Sequence, residues 1–87
     1  MNEQSPFSIA SIQPNPAMDV VQISFINPTP SEISYEIIDA LGQTRLIGVT
    51  DGDELSLDVS SLPEGIYFIR AMSENGYSVS SKLAIVR

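Results

Sequence analysis

The feature that most constrains this chain is its punctuation. Clusters of Pro, Gly, Asn and Asp interrupt it roughly every 8–12 residues, and the intervals hold short runs rich in Ile, Val, Phe and Tyr. None of these runs repeats at the 3.6-residue helical period, and none has the length of an ordinary helix. Strands are what remain, and the runs place them over residues 7–13, 20–26, 32–39, 44–49, 54–59, 65–72 and 77–86. Alternation then identifies the core side. Val21, Ile23 and Phe25 share one face and Gln22 and Ser24 the other, because successive strand side chains point to opposite sides. Ile33, Tyr35 and Ile37 stand against Ser34 and Glu36 in the same way, and Leu55, Leu57 and Val59 against Ser56 and Asp58. That pattern belongs to antiparallel sheets with one dry and one wet face. Ile66, Tyr67, Phe68 and Ile69 are consecutive apolar residues, as in a strand covered on both sides. Arg70 shares the side of Ile66 and Phe68, which directs Tyr67, Ile69 and Ala71 inward.

The turns have their own chemistry. Pro14-Asn15-Pro16 removes two backbone donors and fixes two φ angles, so it breaks the ladder between the first two strands. Asn27-Pro28-Thr29-Pro30 does the same after the second. Gly42, in Leu41-Gly42-Gln43, suits a positive φ in a tight hairpin, and Asn75-Gly76 is the strongest short hairpin signal in the chain. Gly65-Ile66-Tyr67 puts a tyrosine two residues after a glycine at a strand entrance, as in the tyrosine corner of immunoglobulin-like sandwiches, where the hydroxyl bonds backbone at the turn. Plain burial of Tyr67 is the alternative. Seven strands joined this way predict an all-β immunoglobulin-like sandwich. Residues 1–6, polar and aperiodic, read as a linker remnant, and residues 7–87 as one domain, since 87 residues suffice for one and not for two.

Composition removes whole classes of function. The chain has neither His nor Cys, so the usual general base, the commonest metal ligand, the strongest nucleophile and any disulfide are missing. Ser60, Ser61, Ser80 and Ser81 have no visible base beside them, and paired carboxylates would need a deep cleft to hydrolyse a glycoside. Asp51-Gly52-Asp53-Glu54 matches only the opening pair of a calcium loop and reads better as a solvated acidic turn. No enzyme activity, metal or cofactor is expected. Eleven acidic residues against four basic ones give a charge of −7, which opposes nucleic acid and anionic lipid. No run is long enough to span a bilayer, so direct membrane insertion is not expected either. The first residues lack the basic start and apolar stretch of a signal peptide, so that of an exported parent is expected elsewhere. Leu62-Pro63-Glu64-Gly65 is similar to a sortase substrate peptide but lacks its threonine. The three Phe and three Tyr are spaced as core rather than as a carbohydrate platform.

Taken in order, these signals resemble a family: the type A C-terminal sorting domains of proteins exported by the type IX (Por) secretion system of Bacteroidetes. The resemblance runs from Ser11-Ile12-Gln13-Pro14-Asn15-Pro16-Ala17 through Val21 and Ile23 to Ile37-Ile38-Asp39-Ala40-Leu41-Gly42. It continues over residues 57–69, with Gly65 and Tyr67, and ends at Lys82-Leu83-Ala84-Ile85-Val86-Arg87. Ala84 departs from the larger aliphatic residue many members carry. The resemblance implies a seven-stranded sandwich behind an N-terminal cargo that reaches the periplasm by its own signal peptide. An outer-membrane translocon would read the domain, a sortase-like peptidase would remove it, and the cargo would reach the cell surface or medium. Lys82, Leu83, Ile85, Val86 and Arg87 are the expected export-signal residues, with Leu83 and Ile85 facing the core and Lys82, Ala84 and Val86 outward. The last strand is also a candidate sheet edge at which a partner strand could add. The rival function is an immunoglobulin- or fibronectin-like accessory module that binds carbohydrate or protein at the cell surface.

Overall fold

Period-two alternation gives seven strands: β1 (Ser8–Gln13), β2 (Val20–Ile26), β3 (Ile33–Asp39), β4 (Thr44–Thr50), β5 (Glu54–Asp58), β6 (Gly65–Ser73) and β7 (Ser78–Ile85). The structure is a computed structural model and describes residues 7–26, 32–74 and 76–86. All pairings between strands are antiparallel, in a three-stranded sheet ordered β1-β2-β5 and a four-stranded sheet ordered β4-β3-β6-β7. This is the expected all-β sandwich, and every strand end lies within one residue of its sequence-based bound. The fourth strand sits beside the third, which gives the second sheet its extra member.

The core lies where the two dry faces meet. Val21 and Ile23 from β2, Ile33 and Ile37 from β3, and Ile69 from β6 are all fully buried. Truncating any of these isoleucines to Ala would cost about 2–5 kcal/mol, since lost transfer energy and a residual cavity add. Phe7 precedes β1 and closes one end of the core by stacking on Phe25, with ring centroids 5.8 Å apart. Gly48 in β4 makes room for an aromatic neighbour: a Cβ there would fall 2.5 Å from the Tyr35 hydroxyl oxygen.

The β3–β4 turn is built around one carboxylate. Asp39 Oδ1 accepts the backbone N–H groups of Leu41 and Gln43, each at 2.9 Å, and Gly42 takes a φ of +88°. Gly76 has a φ of +93° after β6, while Asn75 and the Asn27-Pro28-Thr29-Pro30 turn lie outside the described residues. One expectation fails. Ile66 and Phe68 are 41% and 42% exposed, so β6 is not covered on both sides. A two-layer sandwich has nothing left to cover its outer faces, and consecutive apolar residues here mark an apolar surface instead of a central strand.

Candidate functional site

The C-terminal strand is divided by its own pleat. Leu83 and Ile85 are 0% and 1% exposed, opposite Tyr67 and Gly65 of β6, so their side chains belong to the core. Lys82 and Val86 point outward and are exposed, with Ala84 partly so between them. Among the described residues Lys82 has no ion-pair partner, in contrast to Arg45 and Arg70. Arg87 lies outside the described residues.

β7 ends its sheet, yet half of its edge is taken. The Asn15 side chain donates from Nδ2 to the Lys82 carbonyl at 3.2 Å, and its Oδ1 accepts the Ala84 N–H at 3.1 Å. Ala17 follows, donating its N–H to the Ala84 carbonyl at 2.8 Å and accepting the Val86 N–H at 2.9 Å, which makes a parallel bridge between Ala17 and Ile85. Strand addition at the end of β7 is therefore blocked from the Lys82 carbonyl to the Val86 N–H, because the outward main-chain groups between them already have partners. Side chains are what this segment can present. Sequence reasoning read Pro14-Asn15-Pro16 only as a break between strands. The overlooked signal is the asparagine itself: between two residues without an N–H, its amide is the one group that can both give and take a hydrogen bond.

Tyr67, 4% exposed, donates its hydroxyl to the Pro63 carbonyl at 2.6 Å, four residues upstream. The bond ties the β5–β6 connection to the start of β6, and Gly65 there lies opposite Ile85. Asn15, Gly65 and Tyr67 thus lie against the end of β7, with Pro14 and Pro16 flanking Asn15 in sequence, whereas Gly42 sits in the separate β3–β4 turn.

On the outer face of the four-stranded sheet, Glu36 and Arg70 stand opposite each other and pair, with Arg70 Nε 2.8 Å from Glu36 Oε2. Thr44 donates its hydroxyl to Glu36 Oε1 at 3.0 Å. The Arg70 hydrogen bonds, then that of Thr44, hold the Glu36 carboxyl below its ordinary value. Asp39 is lowered chiefly by the Gln43 N–H and further by Arg45, and Asp58 by the hydroxyl and N–H of Ser60. Around the Glu36–Arg70 pair a shallow depression of about 140 Å³ is lined by Ser34, Tyr35, Ile47 and Met72. Its two charged groups pair with each other. Among the described residues no three acidic side chains converge on a metal-sized space.

Fold and surface together define a class: an immunoglobulin-like β-sandwich whose clamped last strand offers side chains rather than backbone. The secretion system C-terminal sorting domain family matches residues 11–86, and the chain belongs to that family. Its class of function is thus a type IX sorting signal, which implies an N-terminal cargo, the secretion machinery as partner, and export to the cell surface or beyond. No enzyme class is involved in that assignment. A solved structure of CopC from Methylosinus trichosporium OB3b has a similar fold, with a TM-score of 0.60 and 22% identity, covering 91% of this chain and 90% of that one. No curated protein matches the chain.

Proposed function

We propose that residues 7–87 act as a folded, non-catalytic address. They carry a cargo attached ahead of Phe7 from the periplasm through the outer-membrane translocon, and a sortase-like peptidase then cuts in or before residues 1–6. The family match over residues 11–86 carries this reading. Two features of the structure support its details. Lys82 and Val86 project from a strand that Asn15 and Ala17 hold in place, so a receptor meets them in a fixed geometry. Lys82, with Arg87 five residues on in sequence, also sets positive charge on a chain of net charge −7, a contrast that a complementary acidic receptor surface can read.

The test is a reporter placed between a signal peptide and this domain in a bacterium with a type IX system. The intact domain should deliver the reporter to the surface or medium. Lys82→Glu with Arg87→Glu should lower export while leaving the melting temperature nearly unchanged, because Lys82 is exposed and substitutions at such positions seldom move stability by more than about 0.5 kcal/mol. Full export by the folded double mutant would refute reading by charge. A reporter that stays periplasmic behind the intact domain would refute sorting itself and favour the accessory binding module.

A further inference from the structure

A sandwich has four sheet edges, and this one guards three. β1 carries a register shift between Ile9 and Ser11 and packs against β7. β5 is only five residues long and bears Glu54 and Asp58 on its outer face. The end of β7 is clamped by Asn15 and Ala17, which leaves only its short first half, Ser78 to Ser81, open at that edge. Such bulges, short lengths, charges and covers are the usual means of preventing edge-to-edge pairing. β4 has a register shift near its start, where Ile37 pairs with Leu46 and Ile38 with Thr44, and beyond that Leu46 to Thr50 contain no charge, proline or cover.

The free groups of this edge can be assigned. Asp39 N–H bonds the Gln43 carbonyl, so the alternate residues Ile37, Tyr35 and Ile33 also turn their main chain toward β4. Their partners Leu46, Gly48 and Thr50 turn toward β3. Ile47 and Val49 are left with N–H and C=O pointing off the sheet and with side chains 79% and 58% exposed. We propose that two copies of this chain associate through β4, antiparallel about a two-fold axis at Gly48, so that Ile47 of each copy lies opposite Val49 of the other.

This register is favoured by the strand itself. It places two aliphatic cross-strand pairs on the outer face, each able to add roughly 0.2–1 kcal/mol beyond the main-chain bonds. Gly48, which has no side chain, meets itself on the axis. Just past Thr50, the exposed Asp51 of one copy comes beside Arg45 of the other, twice by symmetry; Arg45 already holds Asp39 of its own chain through Nε, and its 43%-exposed guanidinium can take Asp51 as a second partner. Placing Ile47 opposite Ile47 instead would leave Asp51 beyond the partner's arginine, facing Gln43. Ile47 also lines the shallow depression that it shares with Met72, 48% exposed, across the Glu36–Arg70 pair. An edge-to-edge contact of this length buries on the order of 1,000 Å² or less, at the small end of specific interfaces, so association is reversible and concentration-dependent. The −7 charge on each copy opposes it at low salt and is screened beyond about 8 Å at physiological ionic strength.

Sedimentation equilibrium of the 87-residue chain at physiological salt, from about 10 μM to about 1 mM, tests the proposal. The average mass should rise from 9.4 kDa toward twice that value. Ile47→Lys, at an exposed position, should keep the melting temperature and stay monomeric throughout. The register is read separately. The chain has no cysteine, so Ile47→Cys mixed with Val49→Cys should form mixed disulfides severalfold faster than either variant alone, since paired strand residues sit within disulfide reach. A monomer at the highest concentration, an unaltered dimer in Ile47→Lys, or equal cross-linking rates would each overturn it. So would a β4 edge that takes up a strand of a different protein while this chain remains monomeric.

Discussion

Replacing Asn15 probes the contact that joins the start of the domain to its end. Asn15→Ala removes two hydrogen bonds, to the Lys82 carbonyl at 3.2 Å and from the Ala84 N–H at 3.1 Å. Each is solvent-accessible, so each sits toward the low end of the net range of about 0.5–1.5 kcal/mol, and the pair should contribute about 1–2 kcal/mol. For a domain of this size that is a melting-temperature drop of at least about 4 °C. Asn15→Asp separates the two bonds. It keeps an acceptor for the Ala84 N–H but turns a second oxygen toward the Lys82 carbonyl, so it should be no more stable than Asn15→Ala despite its near-identical shape. Urea unfolding followed by circular dichroism gives the stabilities. Amide hydrogen exchange localises them: the Ala84 N–H should exchange up to about tenfold faster in Asn15→Ala and less so in Asn15→Asp, which keeps its acceptor, while Leu83, whose main chain faces β6, keeps its protection. If Asn15→Ala matches the parent within about 0.3 kcal/mol and Ala84 exchange is unchanged, the clamp contributes nothing. The Lys82 carbonyl and the Ala84 N–H would then be open to strand addition after all.

Tyr67→Phe should cost about 1–3 kcal/mol by leaving the Pro63 carbonyl unpaired at a nearly buried site, and Tyr67→Ala about 3–5 kcal/mol through the added cavity; a neutral Tyr67→Phe in urea unfolding would reduce the residue to packing. Acid should destabilise the domain in a defined window. Glu36, Asp39 and Asp58 are held below their ordinary values when folded, so the unfolded chain takes up protons first as pH falls. Their contribution is present above the unfolded carboxylate range near pH 4 and is lost as pH drops through the lowered folded values. The urea midpoint should fall more steeply below about pH 4 in the parent than in Glu36→Gln with Asp39→Asn, and identical slopes would sink this assignment.

Strand positions were legible because alternation is local: Val21, Ile23 and Phe25 declare their face within five residues. Arg70 settled the direction of Tyr67 in the same way, and Gly42 announced its turn. What one strand lies beside was not legible. Glu36 and Arg70 are 34 residues apart in sequence and meet because β3 and β6 are neighbours in the sheet, which no local pattern reveals. Asn15 and Ala84 are 69 residues apart, and their bond depends on how the turn after β1 crosses to the second sheet. The exposure of Ile66 and Phe68 was misread for a related reason, since apolar residues on both faces of a strand do not say whether a further layer exists to cover them.

The contact between Ala17 and Ile85 also fixes how the domain would carry a pull. The chain enters at Ser8, opposite Ile26 at the far end of β2, and leaves past Ile85, held by Ala17 just ahead of the near end of β2. Entry and exit are therefore at opposite poles. Tension between them runs along β1 and β7 rather than across them. Hydrogen bonds loaded lengthwise share the force and must slide together, whereas bonds loaded crosswise open one after another. A receptor gripping the segment at Val86 while cargo drags on the segment before Phe7 would work against the sandwich in its more resistant direction. The same asparagine that shields an edge would keep the grip connected to the core.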